Sequence, residues 1–380
     1  MRSRLEAWLN RRWYPASRDE RPGLWFLQPL AFAYTKVVRA RRRRAADAAP
    51  ARTELPTIVV GNLTVGGSGK TPLVAWLVGR LQDQGYRPGI VARGYGGIAP
   101  SYPRVVTQYS RPSVCGDEAV DLAQQTSAVV VVSPRRPQAV RWLGQMLECD
   151  MAVSDDGLQH VAMARDLEIL VVSAERGFGN ERLLPVGPLR EPLDRLREVD
   201  LIVVLHQGRV PSDESSGPLV NPTVARIHRL APDVPTLTCT AQVCDLVNLV
   251  TGERLSDRGP NGFANCHQRW VAISGIANPD GFHRELAWVE IPFEEVVFGD
   301  HHSYNLQDLL EFVGSGLLTT SKDAVKIGAL IRAHAQLRDL DVWVLERTIE
   351  LDAQAEQCLD GVLFNALPKQ INRNNTKRNG

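Results

Sequence analysis

The sequence predicts an α/β protein with a parallel sheet that has helices on both faces, followed by a second, smaller α/β domain. Short apolar or β-branched runs alternate with helical patterns along the chain, which is typical of strand–helix–strand units. The length of 380 residues allows about two or three domains. We predict an N-terminal arm and linker (1–50), a core domain (51–235), a two-stranded β hinge (236–256), a smaller domain (257–366) and a disordered tail (367–380).

Composition excludes several classes of protein. With 44% hydrophobic and 23% charged residues, the chain is neither disordered nor fibrous. Apolar runs stay shorter than the ~18–20 residues that span a bilayer, which excludes a polytopic membrane protein. The six cysteines form no CxxC pair and indicate thiols in a reducing compartment. The N-terminal sequence does not have the pattern of a secretory signal. We therefore expect a cytosolic location, which includes the cytosolic face of a membrane.

Charge is unevenly distributed along the chain. The formal net charge is only +1, but residues 1–53 carry thirteen Lys and Arg against four Asp and Glu, a net of +9. The remaining residues carry 31 basic against 39 acidic side chains, a net of −8. A basic arm on a mildly acidic body predicts contact with an anionic surface.

An apolar helix with a basic end is predicted within residues 22–44. Pro22 suits the start of a helix, whereas Pro29 would kink it. Such a helix fits a membrane surface, where each Arg near an anionic leaflet contributes about 1 kcal/mol. A core helix followed by solvated arginines, or a nucleic-acid arm, are the alternatives; we favour the membrane because nothing downstream resembles a base-reading module. The apolar stripe consists of Leu24, Leu27, Ala31, Tyr34 and Val38, and Arg41 to Arg44 follow it.

A glycine-rich loop lies between a predicted strand at 57–60 and a predicted helix at 72–83. This is the context of a phosphate-binding loop (P-loop), in which backbone N–H groups and a helix N-terminus bind phosphates. Lys70 would reach the β/γ-phosphate oxygens and Thr71 would bind Mg²⁺. The strict pattern G-x-x-x-x-G-K-[ST] is not met because Thr64 holds its first glycine position, and a plain glycine-rich turn is the alternative. The predicted phosphate-binding residues are Thr64, Val65, Gly66, Gly67, Ser68, Gly69, Lys70 and Thr71.

Two adjacent carboxylates, Asp155 and Asp156, follow a predicted apolar strand. Adjacent carboxylates at the end of a buried strand repel each other unless a cation neutralises them. Downstream of a P-loop, the expected cation is Mg²⁺. We predict Asp155 as the first ligand and Asp156 as the second, with a simple Asp-Gly turn as the alternative.

Further polar residues lie at predicted element ends. Asp117 and Glu118 precede a helix that they could merely cap. Arg93 and Tyr95 follow a strand, where they could line a ligand crevice or form a plain turn. Arg190 could contact phosphate or pair with Glu191.

The second half contains one candidate for proton transfer. The sequence predicts irregular structure at 207–234 and the two-stranded hinge at 237–255. His301 follows a predicted strand beside Asp300, but further ligands at helical spacing are missing, which argues against a metal site. Proton transfer together with a carboxylate from the other domain fits better, and a capping or core histidine is the alternative.

Seven motifs, taken in order, resemble the tetraacyldisaccharide 4′-kinases of lipid A biosynthesis. Threonine at position 64 is normal for that family, whereas Gly299 stands where the family usually has proline. The resemblance spans about residues 20–350. The motifs are GNLTVGGSGKTP (61–72), ARGYGG (92–97), GDEA (116–119), DDGLQH (155–160), LLPVGPLREP (183–192), DHHSY (300–304) and LLTTSKDAVK (317–326).

This resemblance implies phosphorylation, dependent on ATP and Mg²⁺, of the 4′-hydroxyl of a tetraacylated glucosamine disaccharide 1-phosphate at the inner-membrane surface. It also implies two α/β domains joined by a two-stranded hinge and an N-terminal membrane-associating helix. We predict no nucleic-acid partner and no obligate protein partner. Lys70 would bind phosphates, Thr71 and Asp155 would bind Mg²⁺, and Asp117 would be the catalytic base with His301 as its partner. Further site candidates are Arg93, Tyr95, Glu118, Gln159, Arg190 and Glu191.

Two other functions are the alternatives to the kinase. A GTPase or metallochaperone would want an NKxD-type guanine motif, which the sequence lacks. A membrane-associated P-loop regulator without catalysis would tolerate loss of Asp117.

Overall fold

A computed structural model of the chain describes residues 2–15, 23–47, 55–67, 69–208, 221–258, 267, 269–286 and 292–366. Pro22, Ser68, most of the linker after the arm and the predicted tail at 367–380 lie outside the described residues. Within the described part, twelve strands form one sheet. The predicted α/β fold, with a large parallel sheet and flanking helices, is confirmed.

The strands are mostly short, and most of those in the first half are buried. They are β1 (Thr57–Gly61), β2 (Pro88–Ala92), β3 (Arg104–Val106), β4 (Val129–Val132), β5 (Met151–Asp155), β6 (Leu167–Ser173), β7 (Leu201–Gln207), β8 (Thr236–Asn248), β9 (Trp270–Ser274), β10 (Glu294–Val297), β11 (Gly316–Thr320) and β12 (Asp341–Glu350).

Helices connect most of these strands. The α-helices are α1 (Arg2–Trp13), α2 (Gln28–Asp47), α3 (Lys70–Asp83), α4 (Pro112–Cys115), α5 (Asp117–Gln125), α6 (Arg136–Met146), α7 (Pro222–Leu230), α8 (Leu255–Arg258), α9 (Pro279–Leu286), α10 (Leu306–Leu310), α11 (Ser321–Ala333) and α12 (Ala353–Ala366).

Across the sheet the strands lie in the order β10-β9-β11-β12-β8-β7-β6-β1-β5-β2-β4-β3. The first half of the sheet is parallel, apart from edge strand β3, which pairs antiparallel with β4, and its central strands are covered on both faces. Ile58 and Val60 of β1 pack on one face together with residues of α3 and α5, and Val59 packs on the other. This alternation follows from the two-residue period of a strand. Because both faces are covered, the strands are continuous apolar runs, which is why the sequence reveals them.

The link between the two halves differs from the predicted hinge. β8 is one thirteen-residue strand that pairs parallel with β7 and antiparallel with β12. The second strand of this pair therefore comes from Asp341–Glu350, not from within 237–255. The segment directly after β8 returns to it through an isolated bridge between Val247 and Arg254. An alternating apolar pattern indicates a strand but does not identify its partner.

Other elements also depart from the sequence-based predictions. β6, which lies between β1 and β7, was not predicted. Part of the predicted irregular region at 207–234 is helix α7, whose N-terminus is capped by the Asn221 side chain. Helix α12, which lies within the predicted smaller domain (257–366), packs on the core of the first half through Leu359 and Leu363.

The N-terminal arm contains a longer helix than predicted. α2 runs from Gln28 through the arginine run to Asp47, and Pro29 lies in its first turn, where proline is tolerated and does not need to kink the helix. Leu24 is fully buried, and Tyr34 donates a hydrogen bond of 3.0 Å to the carbonyl of Arg190. Among the described helices, none is long and apolar enough to cross a membrane. Exposed apolar residues of the arm are Trp25, Phe26, Leu30, Phe32 and Val37.

Candidate active site

The P-loop connects β1 to α3 by a turn that requires glycine. Gly69, the residue before α3, has a φ of +76°, a left-handed conformation that glycine adopts at little cost. A Cβ at this position would lie 2.2 Å from Leu205 Cδ2. Gly66 also has a positive φ, of +95°. The turn leaves the N-terminus of α3 to bind an anion, as helix N-termini commonly do.

The start of the P-loop is held by backbone contacts with the segment at 183–192. The Val65 N–H donates to the carbonyl of Pro188 at 2.9 Å, and Thr64 forms a bridge with Leu189. The Val65 N–H is therefore already paired with a backbone carbonyl. The other described loop residues, Gly66, Gly67 and Gly69, lead directly into Lys70 and Thr71.

Asp155 ends β5 with an unpaired carboxylate oxygen. The residue is only 4% exposed, and its Oδ1 has no hydrogen-bond partner among the described residues. Burial, together with the charges of Glu118 and Asp156, raises the pKa of the Asp155 carboxyl to about 7. An added cation would stabilise the ionised form, so this carboxylate fits a metal ligand.

Asp156 is already neutralised by two cations. Its carboxylate lies 3.3 Å from Lys70 Nζ and accepts hydrogen bonds of 2.8 and 3.0 Å from Arg190 Nη1. Burial alone would raise the pKa of Asp156, but Lys70 and Arg190 hold it well below the usual range. Arg190 therefore pairs with Asp156, not with Glu191 as one interpretation had it.

Arg136 is a site residue that sequence reasoning missed. It is buried, and its guanidinium donates to the carbonyl oxygens of Asp155 and Asp156 at 2.8 and 2.7 Å. These bonds fix the turn that follows β5. The available signal was a pair of arginines, Arg135 and Arg136, shortly after core strand β4 and at the start of α6.

Gln159 and Glu191 lie behind the phosphate loop. Gln159 Nε2 donates to the carbonyl of Asn62 at 3.0 Å and to Glu191 Oε1 at 2.9 Å. Its Oε1 accepts a hydrogen bond of 3.3 Å from Arg190 Nη1. Gln159 thus orients Arg190 and the chain after β1, and Glu191 orients Gln159.

Asp117 and His301 meet across the two halves of the molecule. Asp117 is the first residue of α5; its Oδ1 accepts the N–H of Glu118 at 2.9 Å, and its Oδ2 lies 3.0 Å from His301 Nδ1. Burial alone would raise the pKa of Asp117, but the hydrogen bond from His301 and the charges of Lys322 and Lys326 lower it to about 2. The same hydrogen bond raises the pKa of His301, although burial and Lys322 oppose it.

Tyr95 contacts His301, whereas Arg93 does not contact the Asp117–His301 pair. The Tyr95 ring centroid lies 5.2 Å from that of His301. Arg93 is exposed at the start of the same turn. Close packing holds the turn against α5, since a Cβ at Gly116 would lie 2.5 Å from the Tyr95 carbonyl oxygen.

Two lysines of α11 complete the charged site, and sequence reasoning gave them no role. Lys322 Nζ lies 3.1 Å from Glu118 Oε1 and 3.2 Å from His301 Nε2. Lys326 Nζ lies 3.7 Å from Asp117 Oδ2 and 3.0 Å from Asp323 Oδ1. Their spacing of four residues, which puts them on one helix face, was the available signal.

The model of the tetraacyldisaccharide-1-P 4′-kinase family matches residues 23–363. The chain belongs to this family. The tetraacyldisaccharide 4′-kinase of Hahella chejuensis is 38% identical over 364 residues, which cover 94% of this chain and 96% of that protein. The enzyme of the same name from Aeromonas hydrophila is 41% identical over 322 residues, which cover 84% of this chain and 86% of the relative.

A solved structure supports the same assignment. LpxK from Aquifex aeolicus, crystallised in complex with ATP, is 26% identical to this chain, with a TM-score of 0.68. The match covers 90% of this chain and 98% of the solved one. Family membership confirms the predicted enzyme class, a kinase of lipid A biosynthesis that uses ATP.

Proposed function

We propose that the chain transfers the γ-phosphate of ATP to the 4′-hydroxyl of a tetraacylated glucosamine disaccharide 1-phosphate, with Asp117 as the base and His301 as its partner. The observation that carries this proposal is the 3.0 Å contact between Asp117 Oδ2 and His301 Nδ1. This contact joins an α5 residue to a loop after β10, which supports a site formed by residues of both halves.

The P-loop supplies the groups that hold the donor. Lys70 and the N-terminus of α3 offer positive charge to the ATP phosphates. Phosphoryl transfer needs mainly positioning and neutralisation of charge. Arg190 holds Asp156 in place, and the proposal therefore gives it a role in orienting the metal side of the site.

Mg²⁺ fits the residues that are present. The unpaired Oδ1 of buried Asp155 and the hydroxyl of Thr71 would hold it, with Asp156 as a second carboxylate. Among the described residues, groups of three or more His, Cys, Asp or Glu that could hold a metal are absent, which agrees with an ion that uses one or two carboxylates plus phosphate oxygens. Bound there, the ion would supply neutralisation of phosphate charge.

Proton transfer is assigned to Asp117. As the sugar oxygen forms its bond to the γ-phosphorus and the bond to ADP breaks, the hydroxyl proton passes to the Asp117 carboxylate. His301 keeps that carboxylate oriented through Nδ1. Tyr95 packs against the imidazole and restricts its rotation.

The arm provides the proposed contact with the membrane. Its exposed apolar side chains and its excess of basic residues suit the anionic face of the inner membrane, where the acceptor lipid resides. We therefore place the enzyme peripherally at the cytoplasmic face, with residues 22–44 against the lipid.

The test is transfer of radioactive γ-phosphate from ATP to the acceptor lipid in detergent micelles. We expect Asp117→Asn to lower kcat by about 10²-fold or more because the proton acceptor is lost, while ATP still binds. Asp339→Asn, an exposed site, is the matched control. Full turnover by Asp117→Asn would remove the base from the proposal, and absence of transfer by the unmodified protein would remove the reaction itself.

A further inference from the structure

Helix α11 carries charged residues of the second half to the catalytic helix of the first. Val325 of α11 is buried in the core cluster that contains residues of α3 and α5. Ser321 Oγ lies 3.3 Å from Asp121 Oδ2, which ties the start of α11 to α5. This packing fixes where the side chains of the first turn of α11 point.

Lys322, in that first turn, contacts the outer nitrogen of His301. Its Nζ is 3.2 Å from His301 Nε2 and 3.1 Å from Glu118 Oε1. On the opposite side of the imidazole, Nδ1 is 3.0 Å from Asp117 Oδ2. Both ring nitrogens of His301 therefore have a polar partner, one an ammonium and the other a carboxylate.

For a neutral ring, the chemistry of these two partners leaves one position for the ring proton. An ammonium group has three donors and no acceptor, so Nε2 must accept through its lone pair. The proton of the neutral ring is then on Nδ1, where it donates to Asp117. We propose that Lys322 is a positioning residue that holds His301 in the Nδ1–H tautomer and so keeps the Asp117 carboxylate ionised and available as the base.

The location of Lys322 supports a role of this kind. A cation in the first turn of a helix is opposed by the positive end of the helix dipole. Here Glu118 offsets that cost, since its carboxylate, with those of Asp117 and Asp300, raises the pKa of the Lys322 ammonium although burial opposes this. Lys322 is thus kept charged at a position that helix formation alone would not favour.

Other groups around His301 do not replace Lys322. Asp117 and Asp300 are anions that favour a protonated ring, and both raise the pKa of His301. The Tyr95 ring packs against the imidazole, and Lys326 lies near Asp117 Oδ2 at 3.7 Å. Of the described neighbours, Lys322 is therefore the cation in contact with Nε2.

This inference rests on the proposed function, because it refines how the base is prepared. A ring without the Lys322 contact could carry its proton on Nε2 or take up a second proton. In the first case Asp117 loses a hydrogen-bond donor, and in the second it faces an imidazolium that weakens it as a base. Both changes reduce the fraction of enzyme that is ready to accept the hydroxyl proton.

The kinetic test uses Lys322→Met and Lys322→Arg, with Arg332→Met as the control for loss of a cation from the same helix at an exposed position. Removing a cation beside His301 raises the pKa of the imidazole, so we expect the acidic limb of the kcat profile to move about one pH unit upward. We also expect kcat at neutral pH to fall ~10-fold or more while KM for ATP changes little. Lys322→Arg should retain the limb, and Arg332→Met should match the unmodified enzyme.

A spectroscopic measurement separates this inference from the proposed function. In protein labelled with ¹⁵N at its eight histidines, the ring signals of His301 are assigned by their absence in His301→Asn. We expect the Nδ1–H tautomer in the unmodified protein and in Lys322→Arg, and a shift towards Nε2–H or imidazolium in Lys322→Met. An unchanged tautomer and unchanged acidic limb in Lys322→Met would overturn the role of Lys322. Full turnover by Asp117→Asn would instead overturn the base, while the tautomer spectrum still tests Lys322.

Discussion

Two residues of the site have backbone conformations that residues other than glycine rarely adopt. His301 has a φ of +56° and Asp156 a φ of +49°. Such conformations cost on the order of 1–3 kcal/mol and persist where the surroundings impose them. The His301 N–H donates to the Gly275 carbonyl at 3.0 Å, which holds the strained turn. Because asparagine tolerates this region, His301→Asn removes the imidazole with the least added strain.

Asp121 of α5 makes a pH-dependent contribution to stability. It is 4% exposed, and burial raises the pKa of its carboxyl from 3.8 to about 6. A carboxyl whose pKa is higher in the folded state destabilises that state progressively as pH rises from about 4 to 6, and the cost remains above that range. Asparagine could keep the bonds to Gln125 and Ser321 without the charge.

We therefore expect Asp121→Asn to raise the free energy of unfolding at pH 8 by at most about 3 kcal/mol, and by about half as much at pH 5. The measurement is thermal unfolding at the two pH values, with Asp339→Asn as the exposed control. A loss of stability of equal size at both pH values would show that the carboxylate is held ionised by its partners.

At the scale of elements, α2 contributes two surfaces with different roles. One surface is tied to the core, through the Tyr34 bond to Arg190 and through Arg42, which pairs with Glu191 at 3.8 Å and with Glu198. The other surface exposes apolar side chains such as Phe32, which is 63% exposed. Deleting the arm would disturb both, because the first surface reaches a residue that binds Asp156.

A single substitution on the exposed surface separates the two roles. We expect Phe32→Asp to lower binding to vesicles that contain phosphatidylglycerol by about tenfold or more, since apolar burial is lost and a negative charge is added. ATP binding should be unchanged. Met146→Asp, which makes the same change at a 67% exposed residue of α6, is the control, and cosedimentation is the measurement. Equal vesicle binding by both variants would contradict the proposed membrane surface.

At the scale of the whole molecule, the C-terminal helix stabilises the nucleotide-binding half. Leu359 and Leu363 of α12 lie in the same buried cluster as Leu73 and Leu77 of α3. Arg80 of α3 also pairs with Asp360 at 2.7 Å. The last described helix, α12, therefore packs in the same core as α3, although 270 or more residues separate the two helices.

We expect Leu359→Ala to destabilise the protein by about 2–5 kcal/mol, as truncation of a buried leucine usually does. Amide hydrogen exchange followed by mass spectrometry should show faster exchange in α3 as well as in α12. Gln357→Ala, at an exposed position of α12, is the control. Faster exchange confined to α12 would show that the helix is not part of the same cooperative core.

The sequence by itself determined the local parts of this protein. A strand, a glycine turn and a helix are set by residues near one another, so the P-loop at Gly66 to Lys70 and the Asp155–Asp156 pair could be located from pattern alone. The motifs also identified the family. Strand β6 was not predicted from the sequence, although it is buried and apolar.

Only the tertiary structure decided which distant residues meet. β8 and β12 run antiparallel, so the strands of the two halves point in opposite directions, and the rule that ligands bind at the carboxyl ends of strands does not by itself bring His301 to Asp117. The contacts of Lys322 with His301 and of Arg136 with Asp155 depend on helix packing between segments remote in sequence. Such contacts arise from burial and charge pairing over the whole chain, so a local sequence pattern does not predict them.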